Sequence, residues 1–153
     1  MSTTRGIAAA AMFAGLAVGL AAPASAGPTI PDTLSGHFNV TETVSSGQSK
    51  TEKWDVTSCG VGCANITVSQ SSLTPGTFGP FSAQLINGQW VWDEPNGFIV
   101  CDDGSQVPDA TDNHYAIDAN TLRGVNTVAY HKSPCGFDNA GKTFTHTVNL
   151  VRS

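Results

Sequence analysis

Between residue 37 and the C-terminus, runs with apolar side chains on every second position recur, and no stretch carries them at helical spacing. Alternation of this kind makes strands with one buried and one wet face, the signature of antiparallel sheet. Residues 37–44 set Phe38, Val40 and Val44 against His37, Asn39, Thr41 and Thr43. Residues 51–58 set Trp54 and Val56 against Lys53, Asp55 and Thr57. Ala64, Ile66 and Val68 continue the pattern, as do Phe81, Ala83 and Leu85, then Tyr115 and Ile117, then Leu122, Val128 and Tyr130. It is clearest at the end, where Phe144, His146, Val148 and Leu150 oppose Thr143, Thr145, Thr147 and Asn149.

Turn residues punctuate these runs. Asn87-Gly88 tolerates the positive φ of a two-residue hairpin turn. That turn places Leu85 opposite Trp90 and Ala83 opposite Trp92, and a slip of one residue would move both tryptophans into water. Pro95-Asn96-Gly97 is expected to turn the chain into residues 98–101. Residues 102–113 are expected to form a polar loop, and residues 70–80, with Pro75, Gly76, Gly79 and Pro80, another. The result is an all-β, antiparallel up-and-down meander of eight or nine strands. A meander this long must hide its edges, so it closes or nearly closes into a barrel with the first strand beside the last. A two-sheet β-sandwich is the alternative.

The N-terminus reads differently. Arg5 precedes 17 residues, 6–22, that are all apolar or Gly, and Pro23 and Ala24-Ser25-Ala26 follow. A charged start, an apolar middle and a small-x-small end make a cleavable signal peptide over residues 1–26. The run is short and Ala-rich for a bilayer span of about 20 residues, so no transmembrane anchor is expected after cleavage. Residues 27–35 form an N-terminal extension and 36–153 a single domain, secreted or held in the cell envelope. The exported part carries twelve acidic and six scattered basic residues, a net charge of −6. Without a concentrated basic face, nucleic acid is not expected as a partner.

Cys59, Cys63, Cys101 and Cys135 make an even count in an exported domain, which points to two disulfides. The spacing lacks the second close pair of a zinc ribbon. Cys59-Gly60-Val61-Gly62-Cys63 has two glycines that permit a tight turn joining its ends, which leaves Cys101 to pair with Cys135. The x3 spacing, with no helix following, is not that of a redox motif.

No catalytic residue is expected. The four histidines are dispersed, no serine sits in a nucleophile elbow, and no cysteine is left as a nucleophile. The acidic stretch from Asp102 and Asp103 to Asp109 and Asp112 is out of register for an EF-hand, and turns use Asp without any metal. No metal or other cofactor is expected. Candidate ligand-binding residues are Trp54, Trp90 and Trp92, as aromatic lining of a barrel, and His146, which shares the inward parity of Phe144 and Val148. The expected role is non-catalytic binding, of a small apolar ligand within the barrel or of a protein or envelope polymer through the loops. An acid/base hydrolase built on the loops around Asp102 and Asp103 is a third reading. Asn39-Val40-Thr41 and Asn65-Ile66-Thr67 also match the N-glycosylation pattern.

Trp54 with Cys59-Gly60-Val61-Gly62-Cys63, Asn87-Gly88-Gln89-Trp90, Cys101-Asp102-Asp103-Gly104, Thr121-Leu122-Arg123-Gly124 and Cys135-Gly136 together resemble small exported proteins of mycobacteria and related actinomycetes. The resemblance implies a secreted or envelope-associated β domain and supplies no activity. In fold alone the meander is similar to calycin-type barrels, with Gly36-x-Phe38 opening the first strand.

Overall fold

A computed structural model describes residues 31–71 and 76–153; the signal-peptide reading of residues 1–26 lies outside them. Eight antiparallel strands run in order: β1 (Gly36–Thr43), β2 (Ser49–Gly60), β3 (Cys63–Ser71), β4 (Phe78–Ile86), β5 (Gln89–Val100), β6 (Gln106–Asp118), β7 (Arg123–Tyr130) and β8 (Thr143–Arg152). Each pairs with the next, and β1 pairs with β8 through the register Val40↔Leu150, closing the barrel. Closure leaves no unpaired edge, which settles the choice between barrel and sandwich.

Up-and-down topology gives the barrel two unlike ends. At the lower end lie the β2–β3, β4–β5 and β6–β7 turns together with the entry of the chain. The Asn87-Gly88 turn is as expected, with positive φ at both residues and Leu85 paired to Trp90. Leu34 and Ala119 are buried here, Leu85 and Leu122 pack beside them, and the Gly62 N–H donates to the Asp32 carbonyl at 2.7 Å. The chain preceding β1 thereby closes the base of the barrel. The Cys59–Cys63 disulfide staples the β2–β3 turn at the same end.

At the upper end lie the longer connections. The Cys101–Cys135 disulfide ties the β5–β6 connection to a single 3-10 turn, Pro134–Gly136, in the β7–β8 connection. Both expected pairings are present, and no cysteine is free among the described residues.

Three expected loops are corrected. Residues 102–113 are mostly strand, because β6 begins at Gln106 and pairs Val107 with Ile99 and Thr111 with Gly97. Asp109 has φ 49, and the consecutive residues Ala110 and Thr111 are both buried, so an irregularity interrupts the alternation that would have revealed the strand. Pro95-Asn96-Gly97 lies inside β5, where the register shifts between Glu94 and Gly97. Its turn residues form a bulge rather than a reversal. In residues 70–80, β3 runs on to Ser71 and β4 begins at Phe78, which pairs with Val68. Gly79 marks a close backbone approach: a Cβ there would stand 2.6 Å from the Ile66 carbonyl oxygen.

Candidate ligand site at the upper end of the barrel

Alternation sends one residue in two into the barrel, and the inward row changes character along the axis. Its lower part is apolar, with Phe38, Val40, Val56, Ile66, Trp90, Ile117, Val148 and Leu150 all buried. Above them Trp54, Trp92 and Tyr115 pack as one unit. Trp92 stacks on Tyr115 with centroids 4.5 Å apart and planes 2° from parallel, and Trp54 meets both edge-on. This geometry suits the ring quadrupoles.

Each of these three rings donates to a different glutamate. Trp54 Nε1 donates to Glu52 Oε2 at 2.9 Å, Trp92 Nε1 to Glu94 Oε1 at 3.1 Å, and the Tyr115 hydroxyl to Glu42 Oε2 at 3.4 Å. The rings thus form a floor on the apolar core, and their polar edges meet a layer of charge. Two of the bonds follow directly from the sheet, since residues i and i+2 of one strand share a face.

Glu42, 2 % exposed, is the hub of that layer. His146 Nδ1 lies 2.5 Å from its Oε1, Lys50 Nζ lies 3.1 Å from its Oε2, and Asn126 Nδ2 donates to Oε1 at 3.1 Å. Burial alone would raise its pKa, but the bond to His146 and the charge of Lys50 outweigh that and hold it down at about 2. Lys50 also reaches Glu52 Oε1 at 3.4 Å. Burial opposes its charge, yet the carboxylates of Glu42 and Glu52 raise its pKa above the ordinary lysine value.

Glu94 differs. It lies within the electrostatic reach of Lys50, Glu52 and Glu42, but its hydrogen-bond donor among the described residues is the Trp92 indole. Burial pushes its carboxyl up to about 7, against the opposing effects of Trp92 and Lys50. Asn126, 0 % exposed, gives its amide nitrogen to Glu42 and, at 3.2 Å, to Asn113 Oδ1, and this fixes the orientation of the amide. Its carbonyl oxygen has no partner among the described residues.

At the same end of the barrel an open cleft of about 770 Å³ runs between the two disulfide-tied connections, lined by Ile99, Val107, Tyr130, Cys135 and Phe137 among others and by none of the charged layer's own side chains. Tyr130 links cleft and charged layer. Its ring meets Phe144 edge-on at 5.5 Å, Phe144 precedes His146 on the inward face of β8, and the phenol feels the charges of Lys50 and Glu42.

The residues anticipated from sequence are distributed unevenly over this arrangement. Trp54 and Trp92 form the floor, at 0 % and 3 % exposure. Trp90, also fully buried, lies lower in the core, where its indole N–H has no partner among the described residues. His146 points inward and sits in the charged layer. His37, His114 and His131 are on the outer surface beside Asp55, Asp93 and Asp112. Asp103 caps its own turn, accepting from the Ser105 hydroxyl and backbone N–H, and these bonds lower its pKa. Glu42, Lys50, Glu52, Glu94 and Asn126 were not anticipated. Their signal is parity: Glu42 follows Phe38 and Val40 on the inward row, Lys50 and Glu52 precede Trp54, and Glu94 follows Trp90 and Trp92.

Among the described residues no group of three or more His, Cys, Asp or Glu side chains is arranged to hold a metal ion, and no helix is long and apolar enough to cross a membrane. No family model, curated protein or solved structure matches the chain.

Proposed function

We propose that the protein is an exported, non-catalytic carrier that holds a small amphipathic molecule at the upper end of its barrel. The observation that carries this reading is the change from apolar to charged interior at the floor of Trp54, Trp92 and Tyr115, at the end of the barrel that also carries an open cleft. A packed apolar core needs no charged layer above it. Burying ionisable groups costs free energy that their mutual pairing only partly returns. A site that must recognise a polar group while sheltering an apolar one needs such a layer. In this reading the apolar part of the ligand lies in the cleft against Ile99, Val107, Tyr130 and Phe137, and its polar group reaches past Tyr130 to the charged layer. The signal peptide read from residues 1–26 supports export. The resemblance of the chain's short motifs to those of exported actinomycete proteins supports the same setting.

Native mass spectrometry of the protein recovered from its host's culture medium tests the proposal. A co-purified small molecule whose rebinding quenches tryptophan fluorescence is the expected result, because Trp54 and Trp92 bond directly to the charged layer. Protein that emerges empty, and whose fluorescence no extract of the medium alters, overturns the carrier reading and leaves the loops as an interaction surface.

A further inference from the structure

The reading of this end as a small-molecule site leaves the charge of the ligand open, and the side chains bear on that. The interior layer holds three carboxyl groups, Glu42, Glu52 and Glu94, against one lysine and one histidine. Glu42 is saturated by His146, Lys50, Tyr115 and Asn126. Glu52 accepts from Trp54 and from the Ser71 hydroxyl and shares Lys50. Glu94 has the Trp92 indole alone among the described residues, and no cation within salt-bridge distance.

A second observation is independent of the carboxylates. Asn126, fully buried, belongs to the same layer, where its amide nitrogen is committed to Glu42 and Asn113 and its carbonyl oxygen has no donor among the described residues. A buried acceptor without a donor is costly, so a native structure that keeps one generally supplies the donor from elsewhere. The layer is therefore short of two things together, positive charge and N–H donors.

We propose that the ligand presents an organic ammonium group, which Glu94 and Glu52 receive as its counter-charges while the Asn126 carbonyl accepts one of its N–H bonds. Tyr130, on the cleft with Phe144 packed edge-on against it, supplies an aromatic face that suits an alkyl or arylalkyl ammonium approaching from the cleft. The raised pKa of Glu94 adds a consequence. Binding a cation there requires the carboxylate, so amine affinity rises with pH as Glu94 gives up its proton. The titratable or charged groups facing Glu94 are Glu42 on β1, Lys50 and Glu52 on β2 and Tyr115 on β6, while Tyr130 on β7 and His146 on β8 act on Glu42 and Lys50 rather than on Glu94 directly. No residue of β3 or β4 is ionisable apart from the disulfide-bonded Cys63.

The test is calorimetric titration of the disulfide-intact protein with three probes of similar shape: phenethylamine, phenethyl alcohol and hydrocinnamate. The amine is expected to bind at least about tenfold more tightly than the alcohol near neutral pH, as a charge-assisted contact predicts. Its affinity should strengthen from about pH 5 to about pH 8, and Glu94→Gln should bring amine and alcohol level and flatten the profile. Glu52→Gln gives a second variant for the same comparison should the first lose its fold. Equal or tighter binding of the alcohol or of hydrocinnamate overturns the ammonium inference while leaving the carrier role standing. An amine preference untouched by both variants overturns it too, since the cation then sits elsewhere. Silence from all three probes sinks the inference, while a co-purified molecule in the native protein would still uphold the carrier.

Discussion

Glu42 and Glu94 occupy one layer of the barrel and respond to it in opposite ways. Glu42 is almost wholly withdrawn from water, yet four polar partners from β2, β6, β7 and β8 hold it ionised. Truncation by Glu42→Ala leaves Lys50 with Glu52 as its ion-pair partner among the described residues, and takes an acceptor from both Asn126 and Tyr115. Breaking a buried pair from one side costs about 3–5 kcal/mol, and urea unfolding at neutral pH should register that loss with little change in slope. Much of this layer is legible in hindsight. Phe38 and Val40 fix the inward parity of β1, and the same parity carries Glu42 inside. Trp54 does the same for Lys50 and Glu52, and Trp92 for Glu94. A search for apolar alternation passes over polar residues at inward positions, although those are where function enters a core. What parity cannot supply is which strand ends meet: His146 and Glu42 are 104 positions apart and become neighbours only when β8 closes on β1.

Among the elements, strand existence and the hairpin at Asn87-Gly88 were readable because period two and turn chemistry agree there. The failures share one cause. Pro95-Asn96-Gly97, Asp109 and Gly79-Pro80 are residues of loops by composition, but here they sit within strands, at or beside breaks in pairing or pattern. Bulges use the residues that turns use, and only the partner strand distinguishes them. The two disulfides also act on different elements. Cys59–Cys63 spans four positions and staples a turn that the β2–β3 ladder already holds. Cys101–Cys135 spans 34 and joins two connections with no ladder between them. Loop-closure entropy assigns about 2 kcal/mol to the first and about 4 kcal/mol to the second. Replacing both cysteines of the longer bridge by alanine should therefore lower unfolding stability roughly twice as much as replacing those of the shorter one. The longer bridge also holds two walls of the cleft, so its loss should weaken binding of any co-purified ligand, while loss of Cys59–Cys63 at the far end should not. Denaturant melts and ligand titration of the two double variants check both halves of this expectation.

At the scale of the whole molecule, the barrel partitions its interior. The lower half is closed by Leu34, Ala119, Leu85 and Leu122 and is held by apolar burial, which is indifferent to pH. The upper half is held by ionisable groups, and its contribution must move with pH. Glu42 has its folded pKa depressed from 4.5 to about 2, so the stability it adds is fully present above about pH 4.5 and is lost as pH falls through 2. Glu94 has its folded pKa raised from 4.5 to about 7, so its effect runs the other way. Its contribution is complete below about pH 4.5 and drains away as pH rises through 7, a loss of at most about 3 kcal/mol for a shift of that size. The two together put the stability maximum near pH 4.5–5, where Glu42 is ionised and Glu94 is still neutral. The empty protein should consequently unfold at a lower temperature at pH 8 than at pH 5. Glu94→Gln keeps the shape of the side chain and an acceptor for the Trp92 indole but has no proton to lose, so its alkaline limb should be nearly flat. Scanning calorimetry of both proteins across this range decides the matter, and an equal decline in the variant would remove Glu94 as the source. A bound cation should also restore much of the alkaline stability of the parent, because it supplies the counter-charge that the empty layer lacks. Stability of the empty barrel and affinity for an ammonium ligand are then two readings of one deficit, the carboxyl of Glu94 held where no cation among the described residues stands within salt-bridge distance of it.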